Sequence, residues 1–260
     1  MEMASGYFRP GSTWLYRRHP VTKLLALAWL IISAFLLPPP GSVALIVVVV
    51  ITAAVCGLVR PLSRASRVGL VLLASILVVN GFFYPGAHDV LLRIGPFTLT
   101  REGLEAGLTF ALRVFLALEA SLLFLFTTLA DDLLETLVER GVSPRLAWVM
   151  LAAMQLVPRL QARAQAILAA QQARGLEVSG SLRRRLGAIV PLIGPLVLGT
   201  LIDVRERTFA LEARGFGSGL PRTAYRVVGD PPGERMLRWL VAAAIAGLLV
   251  YGLAHAAGAI

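Results

Sequence analysis

The sequence predicts an all-α membrane protein, with about five membrane-spanning helices joined to long cytoplasmic amphipathic helices. Two observations carry that prediction. Hydrophobic residues fill 57% of the 260 positions and charged residues 15%, against about 45–50% and roughly 25% in soluble domains. The charge is also unevenly placed: 15 of the 25 Lys and Arg side chains fall between 131 and 238. This composition excludes a disordered chain, a coiled coil and an ordinary soluble enzyme.

A spanning helix needs about 20 mostly apolar residues. Four such stretches occupy 21–37, 42–59, 66–84 and 104–129, and a fifth runs over 239–258. The second contains Leu45-Ile-Val-Val-Val-Val-Ile51, a β-branched run that would suggest a strand in water. In lipid an isolated strand leaves its backbone unpaired, so helix is expected. Pro38-Pro39-Pro40-Gly41 separates the first two helices, because proline lacks a donor and blocks helix continuation. Tyr84-Pro85-Gly86 ends the third. No cleavable signal peptide is expected. Arg9, Pro10, Arg17, Arg18 and Pro20 precede any apolar run, so the first helix both targets and anchors.

Orientation follows from where basic residues collect. Residues 1–23 hold Arg9, Arg17, Arg18 and Lys23 against Glu2. The 38–42 loop is uncharged. The next loop carries Arg60, Arg64 and Arg67. The 85–103 loop balances Arg93 and Arg101 against Asp89 and Glu102. The N-terminus is therefore expected in the cytoplasm of a plasma or inner membrane, and the end of the last helix outside. The basic excess orients helices and is no sign of nucleic acid. Three regions result: a membrane domain over 1–130, a cytoplasmic domain over 131–238 and a final membrane helix over 239–260. The middle region reads as helices over 131–140, 144–174 and 181–214, then a Gly/Pro-rich tail. Stretches 146–157 and 186–202 are apolar enough to touch the bilayer, but Pro158, Pro191 and Pro195 argue against straight spans.

Two of these helices end alike, in Gln172-Ala173-Arg174-Gly175-Leu176 and Glu212-Ala213-Arg214-Gly215-Phe216. Glycine past a helix accepts the left-handed conformation that terminates it. Arginine in the last turn is favoured by the helix dipole and suits bidentate pairing with a carboxylate. A neighbouring alanine keeps the surface low. Such ends fit two readings: ordinary glycine caps with solvated arginines, or a pair of plugs for two partner grooves. Along these helices Arg159 and Arg163 lie one turn apart, and Asp203 and Arg207 are spaced for an i,i+4 pair.

Paired Ala-Arg-Gly ends on long cytoplasmic helices resemble the transmembrane T component of energy-coupling-factor (ECF) transporters, ABC-type importers of vitamins and transition-metal ions. His19-Pro20-Val21-Thr22-Lys23-Leu24-Leu25 is similar to the family's N-terminal Asp-Pro-Arg-x-Lys-Leu signature, departing at His19 and Val21. Gly141-Val-Ser-Pro144, before a run ending in Pro158-Arg159, resembles its central region. Asp203-Val-Arg-Glu-Arg-Thr-Phe-Ala-Leu-Glu-Ala-Arg-Gly-Phe216 is the closest local match, and the resemblance spans residues 15 to 220. It implies a non-catalytic subunit. Ala173, Arg174, Gly175 and Ala213, Arg214, Gly215 would seat in two cytoplasmic ATP-binding-cassette ATPases. Each arginine would pair with acidic groups near the ATPase Q-loop. The membrane part would hold a substrate-binding S component. ATP and Mg would be bound by the partner ATPases, with no cofactor in this chain.

Other chemistry finds little support. The only lysine, Lys23, follows Thr22, so no P-loop is present. Gly215-Phe-Gly-Ser-Gly219 reads as a flexible helix exit. His19, His88 and His255 lack metal-ligand spacing. Asp131-Asp132, at a helix start, reads as caps and dipole partners. Cys56 reads as a buried, inert side chain. Arg113, Glu119 and Asn80 inside spans read as interhelical bonding or contact with a membrane partner, rather than a solute path. Arg183-Arg184-Arg185 fits anionic lipid or a solvated helix start. The alternatives to a coupling subunit are a stand-alone secondary transporter, which should show inverted repeats, and a membrane-embedded enzyme.

Overall fold

The computed structural model describes residues 8–85, 89–94, 97–176, 182–216 and 229–256. These form two compact units, one of residues 5–140 and 228–260 and one centred on 141–227.

The first unit is a helical bundle. It comprises α1 (Pro20–Leu36), α2 (Pro39–Val55), α3 (Val59–Phe83), α4 (Arg101–Thr127), α5 (Ala130–Glu139) and α8 (Pro232–Ala256). Among the described residues, α3, α4 and α8 are long and apolar enough to cross a membrane, while α1 and α2 are shorter apolar helices. Three of the five expected spans fall on helices of that length, and the other two fall on the shorter α1 and α2. Helix α4 lies at the centre and packs on α1, α2 and α3; α1 also packs on α5 and α8. Ala34, Val49, Ala53, Leu58, Leu62, Leu116, Leu123 and Phe126 form the shared core. Val47, Val48, Val50 and Ile51 on α2, and Val68 and Val71 on α3, face outward. In water such a surface would drive association; in lipid it meets its own solvent.

Several boundaries differ from expectation. Pro39 and Pro40 do not merely interrupt; they open α2 at its first positions, where proline has no N–H to lose. Helix α3 begins at Val59, so Arg60, Arg64 and Arg67 occupy its exposed first turns and not a loop. The stem of an arginine can lie along apolar surface while its head stays wet. Within the 85–103 loop a hairpin forms, β1 (Val90–Ile94) antiparallel to β2 (Phe97–Thr100), with an irregular register between Val90 and Leu92. Helix α8 starts at Pro232, so its first turns carry Glu234, Arg235 and Arg238.

Helices α3 and α4 approach closely along small residues. Gly103, Gly107 and Ala111 are buried in one stripe of α4. A Cβ on Gly103 would strike the backbone oxygen of Asn80, and one on Gly107 would sit 3.0 Å from the Asn80 side chain. Gly103-Leu-Glu-Ala-Gly107 is a small-xxx-small spacing, which lets helix backbones approach in lipid where dispersion drives association. Asn80 donates to Ile76 O of its own helix, 2.9 Å. Glu119 on α4 is 2% exposed, with its Oε1 buried and without a hydrogen-bond partner; the Ser66 hydroxyl of α3 donates to Leu62 O of its own helix, 2.6 Å.

The second unit contains α6 (Pro144–Ala173) and α7 (Leu182–Ala213). Both run through their internal prolines, Pro158 in α6 and Pro191 and Pro195 in α7. Arg163 meets Asp203 and Trp148 meets Phe216. As numbers fall on one helix they rise on the other, so the pair is antiparallel.

Candidate functional site

The two Ala-Arg-Gly segments terminate α6 and α7 in the same way. Ala173 and Ala213 are the last helical residues, followed by Arg174 and Arg214. Gly175 has φ +92° and Gly215 φ +72°, a region that costs an L side chain energy and glycine little. Leu176 N–H donates to Gln171 O at 3.0 Å and Gly175 N–H to Gln172 O at 2.9 Å; Phe216 N–H donates to Leu211 O at 3.0 Å and Gly215 N–H to Glu212 O at 2.9 Å. Each end is thus a Schellman motif that satisfies carbonyls the helix leaves open.

Ala173, Arg174, Gly175, Ala213, Arg214 and Gly215 are all exposed, while Leu176 and Phe216 are half-buried. The apolar residue after each glycine is therefore the anchor, and the arginine is presented. Phe216 packs on Trp148 of α6, with ring centroids 5.6 Å apart. Aromatic pairs at this range contribute beyond their buried area. Sequence reading did not find this contact, although an apolar residue after a helix-ending glycine is its usual companion.

Between the ends the electrostatics differ from expectation. The i,i+4 pairing of Asp203 with Arg207 does not form. Asp203 instead accepts from Arg163 on α6, Nη1 to Oδ2 at 2.7 Å and Nη2 to Oδ1 at 3.3 Å. Arg159 bonds Gln155 in its own helix at 3.1 Å.

The segment 18–23 forms a second polar centre, in the other unit. His19 is the N-cap of α1, where its side chain accepts from Val21 N–H, Nδ1 to N 3.3 Å. A neutral imidazole nitrogen here does what a carboxylate does at a cap. Burial pushes His19 below its ordinary value of 6.5, and Arg238 and Arg140 act the same way against Asp230 and Glu234. Lys23 Nζ donates to Thr127 O at 2.7 Å, and Arg9 N–H to Phe126 O at 3.0 Å. Both donors meet the carbonyl end of α4, where the helix dipole favours a cation. Glu234, in the first turn of α8, accepts from Arg18 at 2.9 Å and from Thr22 at 2.8 Å. Arg238 meets Asp230 at 2.7 Å and holds that carboxyl below the usual carboxylate range. The cluster therefore ties the starts of α1 and α8 to the end of α4.

His19→Ala should cost roughly 0.5–2 kcal/mol of stability, and His19→Asn much less, because asparagine also caps. The sign with pH follows from the lowered value. Below about 6.5 the unfolded chain takes up a proton that the folded chain refuses, so stability falls on acidification. Thermal unfolding in detergent between pH 8 and pH 5, for wild type and His19→Asn, measures both effects. An equal slope in the two proteins would exclude His19 as its source.

Other residues singled out in the sequence are placed as follows. Asp131 and Asp132 lie in the first turn of α5, but its N-cap is Leu129, so they serve the dipole and not the cap. Cys56 is half-buried and accepts from the Thr13 hydroxyl at 3.3 Å. Arg113 leaves a buried Nε without a partner. His88, residues 217–219 and the side chains of His255 and Arg183 to Arg185 lie outside the described residues.

Comparison with known proteins points in one direction. The family model described as Cobalt transport protein, CbiQ, matches residues 11–225. Similar chains include the energy-coupling factor transporter transmembrane protein EcfT of Bacillus subtilis (strain 168), 30% identical, covering 86% of this chain and 88% of that one. The protein of the same description from Leuconostoc gelidum subsp. gasicomitatum is 29% identical over 86% of this chain and 87% of its own. That from Thermosediminibacter oceani is 28% identical over 96% of each.

Proposed function

The chain belongs to the cobalt transport protein family, CbiQ, and we propose that it is the energy-coupling membrane subunit of an ECF-type importer. In this reading two cytoplasmic ATP-binding-cassette ATPases bind ATP and Mg. A membrane S component holds the substrate, a vitamin or transition-metal ion. This chain joins them and catalyses nothing. The observation that carries the reading is the matched pair of exposed Ala-Arg-Gly ends, each set by a Schellman motif on one of two antiparallel helices.

The chemistry suits the role. A guanidinium at a helix C-terminus is stabilised by the dipole while free, and it can form two parallel bonds to a carboxylate when docked. Exposed alanine and glycine on either side leave the arginine unobstructed, so a groove can close around it. Two ends on two helices match two ATPases. Residues 141–227 then form the cytoplasmic coupling part, and the helical bundle the membrane part, with the N-terminus inside and the end of α8 outside. When the ATPases close on ATP, the two docked ends are drawn along with them. That motion passes through α6 and α7 and tips the S component.

The test is co-expression of the full chain with ABC-type ATPases and an S component from the same genome, followed by affinity capture. A stable complex that hydrolyses ATP and drives substrate uptake in proteoliposomes is expected. Uptake by the chain alone, driven by an ion gradient, would replace the reading with a secondary transporter.

A further inference from the structure

The two Ala-Arg-Gly ends stand at an offset of 40 positions, from 174 to 214. The one interhelical ion pair among the described residues of α6 and α7 joins Arg163 to Asp203, also 40 positions apart. Arg163 lies eleven residues before Arg174, and Asp203 eleven before Arg214. The pair therefore links equivalent positions of two matching helix halves. In an antiparallel arrangement, a contact between equivalent positions lies on the local two-fold axis that relates them. From that axis each helix extends about 16 Å to its arginine, at 1.5 Å per residue. No proline interrupts either arm; Pro158, Pro191 and Pro195 all precede the ion pair in their helices.

We propose that the Arg163–Asp203 pair is the pivot that sets the crossing of α6 and α7, and so the spacing and mutual orientation of the two coupling ends. This inference rests on the reading of Arg174 and Arg214 as docking groups. The pair is a fork-to-fork contact, with two parallel bonds, a geometry that fixes direction as well as distance. Its side chains remain 36% and 45% exposed, and exposed ion pairs add little to stability. Orientation is the better account of its presence. Gly199, one turn before Asp203, makes room for it: a Cβ there would stand 3.0 Å from Arg163 Cζ and Nη1. Glycine inside a helix is unfavourable, and here it gives the guanidinium its path across. The Trp148–Phe216 contact holds one end only. The ion pair lies equally far from both ends, and it is the contact on which both arms turn together.

Arg163 and Asp203 are thus positioning residues. The test uses the full chain in nanodiscs on a Cys56→Ala background, spin-labelled at exposed Gln172 and Glu212. Pulsed electron–electron distance measurement should give a narrow distribution in the parent. Arg163→Ala, Asp203→Ala and Gly199→Leu should each broaden it, and the exchange Arg163→Asp with Asp203→Arg should restore it. In the assembled transporter, the single variants should retain ATPase capture, while substrate taken up per ATP falls about fivefold or more, the scale of a typical coupling energy. The exchange should recover that ratio. Unchanged distances in the single variants would overturn the pivot, whatever Arg174 and Arg214 do. Broadened distances with an unchanged uptake ratio would remove its part in coupling. Broadened distances with no ATPase captured even by the parent would instead fault the docking reading. If Arg163→Ala and Asp203→Ala fail to fold, Gly199→Leu and the charge exchange decide alone, since both keep the two charges.

Discussion

Replacing both Arg174 and Arg214 with alanine is expected to abolish capture of the ATPases and substrate uptake, while leaving the chain folded. Both side chains are exposed, and both glycines that terminate the helices remain. The Schellman bonds are made by backbone atoms of Gly175, Leu176, Gly215 and Phe216 and need no guanidinium. The unfolding temperature should therefore move little, as for most exposed substitutions. Binding should change far more. Losing one partner of a desolvated charge pair costs about 2–5 kcal/mol, so each single variant should weaken ATPase affinity at least tenfold. Titration of detergent-purified chain with the ATPases, alongside uptake in proteoliposomes, measures both. Undiminished affinity and transport in the double variant would end the docking assignment.

The second large effect belongs to the membrane bundle. Gly103→Leu is expected to prevent its assembly. The new Cβ would run into the Asn80 backbone oxygen, the Thr100 hydroxyl at 2.7 Å and Tyr84 Cβ at 2.9 Å. A backbone atom cannot step aside as a flexible side chain can, so α3 and α4 must separate. Overpacking commonly costs about 1–3 kcal/mol, and a fixed backbone obstacle belongs at or above the top of that range. Leu108→Ala on the same helix is the control, because Leu108 faces outward and little should change. Yield of monodisperse protein and thermal unfolding in detergent decide the matter. Wild-type behaviour of Gly103→Leu would mean that α3 and α4 do not cross at this glycine.

How much of this was legible in the sequence varies with the range of the interaction. The helices around 144–174 and 181–214 were readable to within a residue, because apolar periodicity and a terminal glycine are local signals. The caps at Gly175 and Gly215 were equally local: one φ angle decides them. The starts of α3 and α8 lie earlier than hydropathy places them, because charged residues at a helix end resemble a loop. Arg60, Arg64, Glu234 and Arg235 instead lie on helix turns beyond the apolar stretch, where long or paired side chains tolerate the interface. The strand pair Val90–Ile94 and Phe97–Thr100 has only a short local signal, two apolar runs on either side of Gly95-Pro96 in the sequence. The glycine stripe at 103 and 107 was open to reading by its spacing alone.

Other features had no local signal. That His19 caps α1 was hidden because histidine is an uncommon cap, and only the neutral ring and its buried setting make it an acceptor. The i,i+4 spacing along α7 pairs Asp203 with Arg207. Asp203 belongs instead to Arg163, 40 positions away. In the sequence Lys23 is one more positive charge on the inner side; in the structure it closes the carbonyl end of α4.

The sequence by itself determined the helical membrane class, the helices and the two arginine-bearing ends. Each depends on hydropathy, periodicity or a single backbone angle within a few residues. Only the tertiary structure decided which charges meet and where the helices cross. Asp203 has Arg207 spaced for it along its own helix and Arg163 across on α6, and the free-energy differences among such pairs are small. Packing of helix on helix, with Gly199 open beneath Arg163 and Gly103 open to Asn80, selects one partner from the set.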